Sequence, residues 1–194
     1  MTDNTNLWAK EGHFNKDQEK YIQNLVATIK PEYSIETGFC SGRSSYTVLE
    51  AGKDTIKKMI SIEIDLDYVS SGREYKRLLE EHYSDNGFQV IEEDSSIITS
   101  EFMNKEFPKG VDFAMIDGSH SYEGCLGDIL GILPHLNSGG IMAIDDYKSG
   151  APNGCTIEGV NRACDFVSST QASLLKQEWH CEGKGFCIFT KSGN

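Results

Sequence analysis

Val111-Asp-Phe-Ala-Met-Ile-Asp117-Gly-Ser-His120-Ser-Tyr122-Glu123-Gly opens the stretch that decides the fold, and Gly139-Gly140-Ile-Met-Ala-Ile-Asp145-Asp146-Tyr147 closes it. Each half contains a short apolar run that stops at an acid. Such runs, flanked by glycine, read as buried parallel strands. Tyr122 to Leu136 between them is long enough for the crossover helix that a parallel pair requires. In an open α/β sheet, ligands bind outside the carboxyl ends of the strands, and neighbouring strands lie about 4.8 Å apart. If the two runs pair, Asp117, Asp145, Asp146 and His120 gather on one rim. Three unpaired carboxylates at that distance repel and raise one another's pKa. A divalent cation would remove the repulsion, and oxygen-only ligands favour magnesium, calcium or manganese over zinc or copper.

Upstream, Asn15 to Lys30 places Tyr21, Ile22, Leu25, Val26 and Ile29 on one helical stripe, and Pro31 closes it. Leu7, Trp8 and Phe14 before it are apolar residues in a polar tail, suited either to a lid across the ligand edge or to packing on the outside of a helix. Tyr33-Ser-Ile-Glu36-Thr-Gly38-Phe-Cys-Ser-Gly42-Arg-Ser-Ser45 then reads as strand, glycine-rich turn and helix start. The turn is G-x-x-x-G, neither the G-x-G-x-x-G of a dinucleotide site nor a P-loop, since Arg43 follows Gly42. Glu36, just before the turn, can pair with an ammonium group through water or backbone amides. Lys58-Met-Ile-Ser-Ile-Glu63 is a second strand ending in acid, and Glu63 suits ribose hydroxyls. After a helix over 68–83, Phe88 to Asp94-Ser95 gives a third strand. Asp94 can accept from the exocyclic amine of an adenine, or cap the helical turn that follows.

Downstream, Ile157 to Val167 is amphipathic and helical. Ala172 to Trp179 and Phe186 to Thr190 form two strands joined by Glu182-Gly-Lys-Gly185. Strand and helix alternate five times, which predicts an α/β, doubly wound, mostly parallel sheet with a closing antiparallel hairpin. One domain over residues 1–194 is expected, with 1–31 as an N-terminal helix and lid and 32–194 as the core.

The chain is 38% hydrophobic and 25% charged, with a formal net charge of -12. That charge argues against a nucleic-acid partner, whose backbone recruits clustered cations. No apolar run approaches the roughly 18 residues of a membrane span, and the first residues lack the basic and apolar regions of a signal peptide. A cytoplasmic protein with no membrane partner is expected, acting on a small molecule. The oligomeric state is left open, a homo-oligomer included. The six cysteines show no C-x-x-C pair and no zinc-finger spacing. They read as reduced thiols, with Cys40 a small residue lining a pocket.

Taken in order, Glu36-Thr-Gly38-Phe-Cys-Ser-Gly42, Glu63, Asp94-Ser95, Asp117-Gly-Ser-His120-Ser-Tyr122-Glu123-Gly and Gly139-Gly140 with Asp145-Asp146-Tyr147 resemble class I S-adenosylmethionine-dependent methyltransferases. More narrowly they are similar to the methyltransferase-24 type and to metal-dependent sugar O-methyltransferases of the macrocin group. The resemblance runs from about Tyr33 to Thr190. It implies a seven-stranded Rossmann-like sheet with the last strand antiparallel. It implies that Glu36, Gly38 and Gly42 line the methionine part of S-adenosyl-L-methionine, that Glu63 holds the ribose, and that Asp94 and Ser95 hold the adenine. In metal-dependent members the positions matching Asp117, Asp145 and Asp146 bind Mg2+, and the position matching His120 is a general base in some relatives.

The chemistry that follows is methyl transfer to a hydroxyl activated by a cation, with His120 taking the proton near neutral pH. Asp117 can contact the cofactor, ligate the cation or orient the substrate. Tyr122 and Tyr147 read as pocket walls. The expectation is a metal-assisted O-methyltransferase for a small hydroxylated acceptor such as a sugar, with Mg2+ or another oxygen-preferring divalent cation. A non-catalytic S-adenosylmethionine or nucleotide-binding module and an N-methyltransferase are the alternatives. A nicotinamide-dependent oxidoreductase is disfavoured by the missing G-x-G-x-x-G turn.

Overall fold

The computed structural model describes residues 14–148 and 157–193. Its first helix, α1 (Lys16–Ile29), starts where the sequence supplies a reciprocal cap: Asn15 accepts from the amides of Asp17 and Gln18, while the Gln18 side chain accepts from the Asn15 amide. The helix buries Ile22 and Val26 and ends at Lys30, in the left-handed region, one residue before Pro31.

Five βα units then lay down β1 (Tyr33–Thr37), β2 (Lys58–Glu63), β3 (Phe88–Glu92), β4 (Val111–Ile116) and β5 (Leu136–Ile144). The interleaved helices are α2 (Arg43–Gly52), α3 (Gly72–His82), α4 (Ser100–Glu106), α5 (Tyr122–Ile132) and α6 (Glu158–Thr170). The chain closes with β6 (Leu174–Cys181) and β7 (Lys184–Lys191). The sheet order is β3-β2-β1-β4-β5-β7-β6. β1 to β5 pair in parallel, and β7 runs antiparallel to both β5 and β6. The expected seven-stranded, doubly wound sheet is therefore present.

Two apolar layers sandwich it, which is why the central strands carry Ile, Val and Met on both faces. One layer joins Val26, Phe39, Val48 and Leu79 to Met59, Met115 and Phe186. The other joins Met103, Ile129, Ile132, Val160 and Val167 to Ile35, Ile60, Ala114 and Met142.

Element boundaries differ from expectation for local reasons. The crossover after β4 stops being α-helical at Ile132 and finishes as a 3-10 turn over Leu133–His135, because Pro134 cannot continue the amide ladder. β5 starts at Leu136 rather than Gly139, with an irregularity in its register against Val111 and Phe113. α3 begins later than 68, after Asp65 and Asp67 have formed a side-chain turn. The hairpin loop is the two residues Glu182 (φ 40°) and Gly183 (φ 79°), the left-handed pair that suits the strand twist. Leu7, Trp8 and Cys155 lie outside the described residues. Phe14 packs edge-on against Phe186, ring centroids 5.8 Å apart. No helix among the described residues is long and apolar enough to cross a membrane.

Candidate active site

Strand order reverses between β1 and β4, so the loops after these strands part and leave a crevice at the carboxyl edge. A cavity of about 850 Å³ lies there, within the range of small-molecule sites. Its wall takes residues from every parallel strand end: Thr37, Gly38 and Cys40; Glu63 to Asp65; Asp94 and Ser95; Asp117 to His120; Asp145 and Asp146.

Gly38 has φ +86°, and a Cβ on it would sit 2.1 Å from the Asp117 carbonyl oxygen. Only glycine lets the two loops touch there. Glu63 braces the same turn from β2. Its Oε2 accepts from the amides of Phe39 at 2.9 Å and Cys40 at 2.7 Å, and Oε1 accepts from Asp65 N at 3.1 Å. Asp94 caps the following turn by accepting from Ser96 N at 2.8 Å, and it also lines the cavity beside Ser95. The Ser96 hydroxyl, and after it the Ser96 amide, holds its carboxyl below the usual range.

Glu36 and Gly42 stand outside the cavity wall. Gly42 (φ +74°) is the N-cap of α2, packed against the side chains of Phe39 and Leu79. Glu36 is fully buried under the turn, where its Oε2 accepts from the hydroxyls of Ser45 and Ser61. Its Oε1 has no hydrogen-bond partner among the described residues. Burial pushes its pKa up to about 7, against the opposing effect of three serine hydroxyls.

The acids after β4 and β5 divide differently from the sequence expectation. Asp117, His120 and Asp146 present donor atoms within 4.8 Å of one another. His120 Nε2 lies 3.5 Å from Asp117 Oδ1 and 3.4 Å from Asp146 Oδ2. Asp145 is outside that group: its Oδ1 accepts from Gln18 Nε2 at 2.9 Å and from the Asp146 amide at 2.8 Å. The left-handed backbone of Asp146, φ +61°, makes this division. Asp tolerates the conformation better than most residues.

Desolvation raises the pKa of Asp117, with a further contribution from Asp146. Asp145 is pushed well above the carboxylate range by burial and by the charges of Asp117 and Asp146. His120 titrates above its ordinary value because Asp117 stabilises the imidazolium. Mutually perturbed groups in a cleft make this cluster a functional-site candidate.

Three contributions escape sequence reading. Gln18 reaches the rim from α1, fully buried, with its Oε1 committed to the helix cap and its Nε2 to Asp145. Glu182, Gly183 and Lys184 form one lip of the cavity, with Lys184 Nζ 3.8 Å from Asp146 Oδ1. Asp128 is buried beneath Gly118. The tyrosines expected as walls lie elsewhere. Tyr147 is fully buried behind the site, donating to Asp165 at 2.7 Å, and the ring of Tyr122 stacks under Arg162.

This architecture is shared with solved methyltransferases. The O-methyltransferase TomG of Streptomyces achromogenes, solved with SAM, superposes with TM-score 0.74 at 15% identity, over 98% of this chain and 86% of that one. The O-methyltransferase of Bacillus cereus, solved with SAH, gives 0.71 at 15% identity, over 97% and 88%. The SAH-bound Podospora anserina methyltransferase PaMTH1 gives 0.70 at 17% identity, over 92% and 80%. No match is found among curated proteins. The family of the methyltransferase-24 type, described as a methyltransferase domain, matches residues 35–147, from the middle of β1 through the acid pair to Tyr147. With more than half its length matched, the chain belongs to the methyltransferase-domain family.

Proposed function

We propose that the chain is an S-adenosyl-L-methionine-dependent O-methyltransferase that uses a divalent cation to activate a small hydroxylated acceptor, such as a sugar. One observation carries this reading: the Asp117–His120–Asp146 cluster shares a cavity with the Gly38 turn, Glu63 and Asp94. The cofactor's ribose hydroxyls would meet Glu63, its adenine would meet Asp94 and Ser95, and its methionine end would lie along Gly38. That direction leaves the methyl group facing the acids. Holding donor and acceptor in line there accounts for much of the acceleration such a site can give.

Two carboxylate oxygens and one imidazole nitrogen fit a divalent cation by donor chemistry. A cation held by Asp117, His120 and Asp146 would lower the pKa of the acceptor hydroxyl and orient it. The nitrogen donor shifts the preference from Mg2+ toward Mn2+, compared with an oxygen-only site. Asp145 then acts from behind, fixing the Asp146 amide through its Oδ1. Without a cation, neutral His120 Nε2 can take the acceptor proton, and Asp117 and Asp146 stabilise the imidazolium formed.

The test is transfer of labelled methyl from S-adenosylmethionine to a panel of sugars, phenols and amines, together with calorimetric binding of S-adenosylhomocysteine. Micromolar binding and methyl on oxygen are expected. Methyl on nitrogen alone would replace this reading with an N-methyltransferase. Absence of binding by either cofactor form would sink the assignment.

A further inference from the structure

β6 closes the sheet, paired with β7 on one side and, among the described residues, with no strand on the other. Its register to β7 runs unbroken over eight residues, with no bulge and no proline. An edge of this kind offers a row of free backbone groups to another chain, and sheets ordinarily blunt it with bulges, prolines, short strands or added charge. Of these devices β6 has little. Leu175 is 56% exposed on it, and Gln177 at its middle is exposed and uncharged.

Which groups face outward follows from the ladder. The Ser192 amide donates to the Ser173 carbonyl at 2.8 Å, one step beyond the Leu174–Lys191 pair. Hydrogen-bonded and non-bonded pairs alternate along an antiparallel ladder. The backbone of Leu175, Gln177, Trp179 and Cys181 therefore points to β7, and that of Leu174, Lys176, Glu178 and His180 points away from it. Side chains alternate between the two faces of the sheet. Lys176 and Glu178 share one face, with Nζ 3.6 Å from Oε1. Leu175 and Trp179 share the other, where Trp179 stacks on Tyr21 of α1.

We propose that β6 is a self-association edge, which pairs antiparallel with β6 of a second copy about a two-fold axis at Gln177. Two-fold pairing sets one patch against itself, and charge selects the register. Centred on Lys176 or on Glu178, the two strands would place like charges directly opposite, which is destabilising. Centred on Gln177, Lys176 of each copy faces Glu178 of the other in an alternating ring of four charges, and Leu175 meets Trp179 on the opposite face. The outward amides and carbonyls of Lys176 and Glu178 then bond to each other across the axis, and the Leu174 carbonyl takes the His180 amide. The two seven-stranded sheets become one. The same register brings the cavity lip at Glu182 beside the α6–β6 connection of the second copy, so association braces the mouth of the site.

Sedimentation equilibrium over a range of concentrations tests this, with circular dichroism as the folding control. Wild type is expected to reach twice the mass of one chain. Leu175→Lys/Gln177→Lys puts lysines at two exposed positions of the edge, and should weaken association by about 10-fold or more with an unchanged spectrum. Gln177→Cys puts a thiol on the axis, in a non-hydrogen-bonded pair whose Cα atoms lie about 4.5 Å apart, within reach of a disulfide. Mild oxidation should link this variant to a second copy of itself, with the 177–177 bridge identified by peptide mapping, while wild type stays unlinked. Wild type that is a monomer at every concentration would overturn the proposal. So would a dimer that the two lysines leave unchanged, or one in which Gln177→Cys forms no 177–177 bridge.

Discussion

Glu36 shows how far one residue's burial can control behaviour at neutral pH. In the unfolded chain its carboxyl ionises near the ordinary 4.5, whereas in the folded protein it does so at about 7. Between these values the unfolded state gives up its proton first, so stability must fall as pH rises through that window. The full effect is about 3 kcal/mol, from 1.36 kcal/mol per pKa unit. Glu36→Gln keeps the contact shape with Ser45 and Ser61 and removes the titration. Denaturant melts at pH 5 and pH 8 should differ less in this variant than in wild type, and the variant should be the more stable at pH 8. An unchanged pH dependence would mean that the carboxyl is not the titrating group. His120 adds a second pH effect. Its raised pKa keeps Nε2 protonated to higher pH, and a proton there excludes a cation. Cation affinity should therefore tighten as pH rises through that titration, and His120→Ala should flatten the curve.

Elements carry the site because their ends do. The turn after β1 survives only with glycine at 38, given φ +86° and the Asp117 carbonyl 2.1 Å from any Cβ. Gly38→Ala should cost a few kcal/mol, combining about 1–2 kcal/mol for the left-handed backbone with displacement of the β4 loop. It should also abolish S-adenosylhomocysteine binding in a calorimetric titration; retained binding would remove this turn from the site. α1 contributes through Gln18, which closes the helix cap and holds Asp145. Gln18→Ala should lower stability by about 1–3 kcal/mol, since it opens a cap and orphans a buried acid. It should also loosen the acid pair, which a drop in cation affinity would report. This link between α1 and β5 spans most of the chain, so no local pattern announces it. The strand ends were legible for the opposite reason. Apolar runs that stop at Glu36, Glu63, Asp117 and Asp145 place their acids at the carboxyl edge by topology alone. Which acid faces inward was not legible: adjacent residues on a strand point to opposite sides, and the left-handed turn at Asp146 resets that alternation.

The whole molecule is one twisted sheet between two helical layers, with its chemistry along one edge. Sequence pattern was enough for that plan, because buried parallel strands and amphipathic helices each leave a local periodicity. It was not enough for contributions from the far hairpin, where Lys184 reaches Asp146 only once β7 has paired with β5. Nor could it show Asp128 turned beneath Gly118. A ligand that binds the folded edge alone should stabilise the entire sheet. S-adenosylhomocysteine at about 100 times its Kd should add about 2.7 kcal/mol. For a chain of this size that raises Tm by roughly 5–10 °C, which differential scanning fluorimetry would read. The most direct test of the site is calorimetric titration of Mn2+ into S-adenosylhomocysteine-loaded wild type, Asp146→Asn and Asp145→Asn. A signal lost in Asp146→Asn and kept within about threefold in Asp145→Asn, a tolerance of under 1 kcal/mol, is predicted by the Asp117–His120–Asp146 group. Wild type without a signal, or loss in Asp145→Asn with retention in Asp146→Asn, would contradict it.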